Sequence, residues 1–242
     1  MKMRRITFAL AVACVCLAGC DKSQNSQLAS ASGSPEVSGE VETEVSGITC
    51  ELKGKVNHDK WEADQLTSVS FSAIPTTIEQ FKALQREVGV EPQGALALQV
   101  LAFEMYRRDA KLGEEALRLN NTQVNVQATQ LQLKEMMNVK DAFYSRPYIA
   151  AALMKGASAA NGYQPDKPYT IEMRVDPAKK YQESQLLGGT VIYLQINSKG
   201  WDTNWRGAEV VKPNGSDYYV VSNCPALYTQ CKQMQGEWQP LE

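Results

Sequence analysis

The chain has 242 residues, 43% hydrophobic and 21% charged, enough for one sizeable core and too few for two large domains. Its 25 basic residues against 27 acidic ones give a net charge of −2, without the cationic surplus that nucleic-acid partners require. The one histidine, His58, confines catalytic triads, histidine zinc sites and imidazole pH switches to a single position.

Lys2, Arg4 and Arg5 precede an apolar run from Ile6 to Leu17. That run suits a signal-peptide core and falls short of the ~20 residues a membrane-spanning helix needs. It ends in Leu17-Ala18-Gly19-Cys20, which resembles the lipobox of bacterial lipoproteins. The resemblance implies that residues 1–19 are removed and that the Cys20 sulfur carries a diacylglyceryl thioether. The membrane partner is then reached through lipid on Cys20, and Cys50, Cys224 and Cys231 are the remaining thiols. Asp21 resembles the retention signal of enteric-type bacteria, which favours the periplasmic face of the inner membrane over the outer membrane.

Residues 21–46 lack aromatics and are rich in Ser, Gln, Glu and Gly, a composition that cannot offset chain entropy by burial. The expected organisation is therefore a lipidated cysteine with a disordered acidic tether over 20–46, followed by a single domain over 47–242. Glu36 to Val45 alternates like a strand, but its charges favour a solvated chain. Most of the mature negative charge sits in this tether, leaving a nearly neutral domain.

Strands are predicted over Ile48–Val56 and Ser68–Ile74, joined by a polar turn at Asn57-His58-Asp59-Lys60. Thr76 and Glu79 have the spacing of a capping box, opening a helix with Ile78, Phe81, Leu84 and Val88 as its apolar stripe and Gly89 as its stop. Pro92 opens a second helix, Gly94 to about Asp109, that is apolar almost all round and so suits the centre of the core. A third covers Glu114–Leu119 and a fourth about Gln127–Met137. From Pro147 onward the period shortens. Strands are predicted at Tyr169–Val175, Thr190–Asn197, Glu209–Val211 and Tyr218–Val221, the last two flanking Pro213-Asn214-Gly215. Helices followed by strands argue for an α+β fold with an antiparallel sheet. A cone-shaped, NTF2-like arrangement with a ligand inside the cone is the alternative.

Residues 146–169 carry Arg146-Pro147-Tyr148, Lys155-Gly156-Ala157, Asn161-Gly162-Tyr163, Pro165 and Pro168-Tyr169. This series resembles a bacterial family of secreted and lipoprotein-like domains known as a domain of unknown function, over about residues 75–232. It implies one compact domain and supplies no catalytic or binding residues. For 149–155 the resemblance implies extended chain while the alanines favour helix, and both readings stand.

The motifs of zincins, nucleophile elbows, CxxC redox sites and phosphate loops are missing from the sequence. No catalytic residue, metal ligand or cofactor is expected, and His58 among Asn57, Asp59, Glu62 and Asp64 reads as a solvated turn. The candidate ligand-binding set is Trp201, Asp202, Asn204, Trp205 and Arg206, whose indoles could stack on a sugar while the polar groups hold its hydroxyls. The competing reading makes these tryptophans the edge of the core. Cys224 and Cys231 are the default disulfide pair in an oxidising compartment, with Cys50 paired to either as the alternative. The expected function is that of a lipid-anchored envelope lipoprotein, a non-catalytic module engaging another envelope protein. A glycan- or small-molecule-binding domain and a hydrolase without a local motif are the alternatives.

Overall fold

The computed structural model describes residues 41–122 and 130–242. The signal peptide, the lipobox, Cys20, Asp21, most of the tether and the predicted helix start at Gln127 lie outside the described residues.

The fold is α+β, with helices packed on an antiparallel sheet curled into a half-barrel. Eight strands among the described residues run β1 Val41–Val45, β2 Ile48–Lys53, β3 Leu66–Phe71, β4 Tyr169–Val175, β5 Gln182–Ser184, β6 Gly189–Asn197, β7 Trp205–Val211 and β8 Val220–Asn223. Their order is β1-β2-β3-β4-β6-β7-β8, with β5 paired to β6 and every strand pairing antiparallel. Between β3 and β4 the chain makes helices α1 Ile78–Val88, α2 Pro92–Arg108, α3 Ala110–Asn120, α4 Gln130–Ser145 and α5 Ile149–Ala152.

The sequence placed residues 41–45 in the tether, yet they form β1. Ser46 and Gly47 both take positive φ (53° and 79°), the two-residue turn whose twist matches an antiparallel hairpin, and Val45 pairs with Ile48. That turn recruits an acidic segment into the sheet. The predicted capping box is displaced by one residue. Thr77 is the N-cap and accepts from Gln80 N at 3.2 Å, while Gln80 Oε1 accepts from Thr76 N at 2.8 Å. The third helix starts earlier than predicted because Asp109 Oδ1 caps Lys111 N and Leu112 N at 2.9 and 3.0 Å. The stretch left open resolves to α5, with all four of its residues buried.

Every residue of α2 from Pro92 to Met105 is buried. It touches β3, β6, β7 and β8 as well as its helical neighbours. A helix that reaches both the third and the last strand of the order lies inside the curl, so apolar side chains fill the space that a cone-shaped binding fold would leave for a ligand. Along β4 burial alternates strictly, with Tyr169, Ile171, Met173 and Val175 inward and Thr170, Glu172 and Arg174 outward.

The predicted Cys224–Cys231 disulfide does not form, and Cys50 is not bridged either. The thiols are buried against different neighbours. Cys224 Sγ lies 3.6 Å from Asn121 Nδ2, whereas Cys231 Sγ packs close to Gly200 and Tyr163. Cys50 Sγ donates to the Thr43 carbonyl at 3.4 Å.

Candidate functional site: a groove on the outer face of the sheet

Alternation along the strands sends one polar residue in two away from the core, and the strand register lines these residues up across the sheet. Lys53 pairs with Ser68, Ser68 with Glu172, and Asn197 with Trp205. Asn197 Nδ2 donates to Glu172 Oε2 at 3.2 Å, joining the two halves into one row over five strands. Two residues further along lies a second row, in which Leu66 pairs with Arg174, Arg174 with Gln195, and Gln195 with Gly207. These rows border a groove of about 460 Å³ lined by Lys53, Leu66, Ser68, Glu172, Asn197 and Trp205, among others.

The groove is organised by charge-assisted contacts. Arg174 places its guanidinium 4.2 Å from the Trp205 ring centroid, donates from Nε to Gln195 Oε1 at 2.8 Å and from Nη1 to Asp64 Oδ1 at 2.7 Å. Glu172 meets Lys155 Nζ at 2.8 Å. The hydrogen bond to Glu172 and its charge together push the Lys155 ammonium up from its ordinary value. In the second row, opposite Gln195, Gly207 leaves open surface, since a Cβ there would meet nothing within 4 Å.

A third row continues the face. Tyr193 pairs with Glu209 and Glu209 with Asn223 around a second depression of about 240 Å³, which Gly207 lines. Three rows two residues apart span about 14 Å of outward surface. Lys179 stands 4.9 Å from the Tyr193 ring, and burial followed by the Glu209 charge pushes the Tyr193 hydroxyl up.

Of the five residues the sequence singled out, the structure brings only Trp205 to this groove. Trp201 is 2% exposed, and its Nε1 donates to the Thr229 carbonyl at 2.6 Å, so it is a core residue. Arg206 has the opposite strand parity to Trp205; its guanidinium lies 5.2 Å from the Trp201 ring and its Nε donates to the Ala226 carbonyl at 2.9 Å. Burial lowers its pKa. Asp202 is exposed and meets Lys232 at 3.2 Å, and Asn204 is exposed with its carbonyl accepting from Ser198 N at 2.7 Å. A spacing of four gathers side chains on a helix, but here it spans the tip of the β6–β7 hairpin and splits them. Sequence reasoning missed Lys53, Lys155, Glu172, Arg174 and Asn197. Their outward parity was readable for Glu172 and Arg174, but their shared row depends on register.

His58 occupies the predicted turn, where Asn57 Oδ1 accepts from Asp59 N and Lys60 N at 3.2 and 3.1 Å. Its ring centroid lies 6.3 Å from that of Tyr219, and its Nδ1 is buried without a partner. Burial first, and then the Glu62 charge, push the Tyr181 hydroxyl up to about 12. Among the described residues no three His, Cys, Asp or Glu side chains gather as a metal site.

A family described as a domain of unknown function, DUF6935, matches residues 73–235. The chain belongs to the DUF6935 family. No curated protein and no solved structure matches the chain. The DUF6935 segment begins just after β3, so Lys53, Leu66 and Ser68 of the groove lie before it, and Lys155, Glu172, Arg174, Asn197 and Trp205 lie within it. Its Arg-Pro-Tyr to Pro-Tyr series proves architectural. Tyr148 stacks on Tyr163 at 4.8 Å, and Asn161 Nδ2 donates to the carbonyls of Gly156 and Gln164 at 3.0 and 2.9 Å. Tyr163 and Tyr169 hydroxyls hold the C-terminal segment through the carbonyls of Lys232 and Glu242 at 2.9 and 3.0 Å. Gly156 takes φ +84° with Asp166 packed where a Cβ would go. Within this DUF6935 scaffold Lys155 N donates to the Thr170 carbonyl at 2.8 Å, which fixes the lysine at the rim of the groove.

Proposed function

We propose that this chain is a lipid-anchored envelope protein whose DUF6935 domain binds a glycan, without catalysis, along the outer face of its sheet. The anchor reading rests on the basic start, the short apolar run and Leu17-Ala18-Gly19-Cys20. The glycan reading rests on one observation, the outward, half-buried row that sets Trp205 beside Asn197 and Glu172, with Lys155 joined through Glu172. An indole offers a flat apolar face to the C–H side of a sugar ring, and amide, carboxylate and ammonium groups at its edge suit hydroxyls. Glu172 is already engaged by Lys155 and Asn197, which favours holding a ligand over proton transfer.

The test is retention on insoluble cell-wall glycan and on defined muropeptides. Wild-type protein is expected to be retained and Trp205→Ala to elute early, with its melting temperature lowered by only about 2–4 °C through loss of the Arg174 contact. Equal elution of the two proteins would overturn the glycan reading. Separately, Cys20→Ser is expected to move the protein from the membrane pellet to the soluble fraction, and continued pelleting would overturn the anchor.

A further inference from the structure

A further cavity, of about 310 Å³, lies between β2 and the link from α1 to α2 and shares only Gly54 with the groove. Cys50, Leu52, Val88 and Val90 supply its apolar wall, and Glu87, Glu91, Gln93 and Lys55 its polar groups. Gln93 is fully buried, yet its Oε1 has no hydrogen-bond partner. Glu91 Oε2 is likewise buried and unpartnered. Buried polar atoms are nearly always satisfied, so two such atoms on one cavity wall require an explanation.

Both atoms are acceptors. The Gln93 amide places Nε2 3.5 Å from the Gly54 carbonyl, and reversing it would set oxygen against oxygen, so the acceptor is the group left over. Charge points the same way. Glu87 and Glu91 carry two full negative charges; Lys55 is exposed and screened, and the N-terminus of α2 contributes only about half a positive charge. Glu91 is the N-cap of α2 but its side chain makes no capping bond, so its carboxylate is not consumed by the helix. The Cys50 thiol, donating to Thr43, offers the cavity no acidic hydrogen of its own.

We propose that this cavity binds a small alkylammonium compound. The ammonium group, with three donors and no acceptor, sits against Gln93 Oε1 and Glu91 Oε2. The alkyl body packs on Cys50, Leu52, Val88 and Val90. Binding is reversible and forms no covalent bond.

The probe is isopentylammonium, titrated into the full chain and followed by saturation-transfer NMR, with isopentanol and isovalerate as isosteric comparators. Isopentylammonium is expected to bind at least tenfold more tightly than either comparator, because hydrogen bonds to charged groups carry the difference. Gln93→Leu and Glu91→Gln are each expected to weaken it about tenfold, and Trp205→Ala to leave it unchanged. Glu91→Gln keeps the local shape and decides the matter if Gln93→Leu does not fold. Absence of saturation transfer to wild type, equal binding of isovalerate, or full affinity in Glu91→Gln would each overturn the proposal.

Discussion

The Arg174 guanidinium lies 4.2 Å from the Trp205 ring centroid, spanning from β4 to β7 across β6. The same arginine holds Gln195 on the intervening strand and Asp64 before β3, so one side chain fixes the indole and the strip beside it. A planar cation over an indole contributes about 0.5–1 kcal/mol at a partly exposed site, and the Asp64 pair adds little because solvent screens it. Arg174→Ala is therefore expected to lower the melting temperature by only about 2–4 °C while freeing the Trp205 rotamer. Differential scanning calorimetry reads the first effect, and indole relaxation by NMR the second. Trp201→Ala supplies the contrast. It empties a core position and should cost about 3–5 kcal/mol, which the same calorimetry would register as a much larger fall.

That difference between two tryptophans four residues apart marks the limit of sequence reasoning on this chain. Apolar character on every side of α2 was enough to place it at the centre, and β4 was legible to its end residues because its alternation has no breaks. Both are local properties. The groove is not local, because Lys53, Ser68, Glu172, Asn197 and Trp205 become neighbours only through the register of strands far apart in sequence. β7 hid its first half because Trp205-Arg206-Gly207 lacks the alternating apolar residues that mark a strand. β1 was hidden by its own charges, although the Ser46-Gly47 pair after it carried the turn chemistry. The cap of α1 slipped by one residue because Thr76 and Thr77 offer the same hydroxyl, and only Gln80 distinguishes them.

Glu104 carries the most consequential charge in the interior. It is fully buried and holds Arg107 through two hydrogen bonds, at 2.9 and 2.5 Å, and Arg108 through a third at 3.0 Å. Arg108 in turn donates to the Leu241 carbonyl at 3.1 Å, tying the C-terminal segment to α2. Glu104→Leu would strand two guanidinium groups near the core, at an expected cost of about 3–5 kcal/mol. Urea denaturation should show the midpoint falling accordingly. Proteolysis of the native variant should also begin after residue 232, since Arg108 loses the carboxylate that positions it.

Two glycines make a paired prediction. A Cβ on Gly113 would lie 2.0 Å from Tyr106 Cα and 2.1 Å from Tyr106 N, because α2 and α3 meet backbone to backbone there. Gly113→Ala is expected to cost at least about 3 kcal/mol, since the obstacle is main chain and cannot rotate away. Gly207→Ala meets open space on an outward strand position and should be neutral or slightly stabilising. Thermal melts of the two variants side by side check the pair. Gly207→Val adds a side chain to the outward row beside the groove, so it should also reduce glycan retention without lowering the melting temperature.

The last prediction concerns alkaline pH. Burial pushes the Cys231 thiol from its ordinary 9.0 up to about 11. In the unfolded chain that thiol loses its proton first, so between about pH 9 and 11 the folded state binds more protons than the unfolded one. Stability then falls as pH rises, by at most about 1.4 kcal/mol per pH unit from this group. Tyr181, raised to about 12, and Tyr148, Tyr163 and Tyr219, also raised chiefly by burial, extend the same sign to higher pH. Guanidinium titrations at pH 8, 9, 10 and 11 should show the stability declining, with a shallower slope between 9 and 11 in Cys231→Ser. The same burial keeps the thiolate scarce, so Cys231 in folded protein at pH 8 should resist iodoacetamide and react only once denaturant is added. Ready alkylation of the native protein at that position would show that Cys231 is not held as its burial requires.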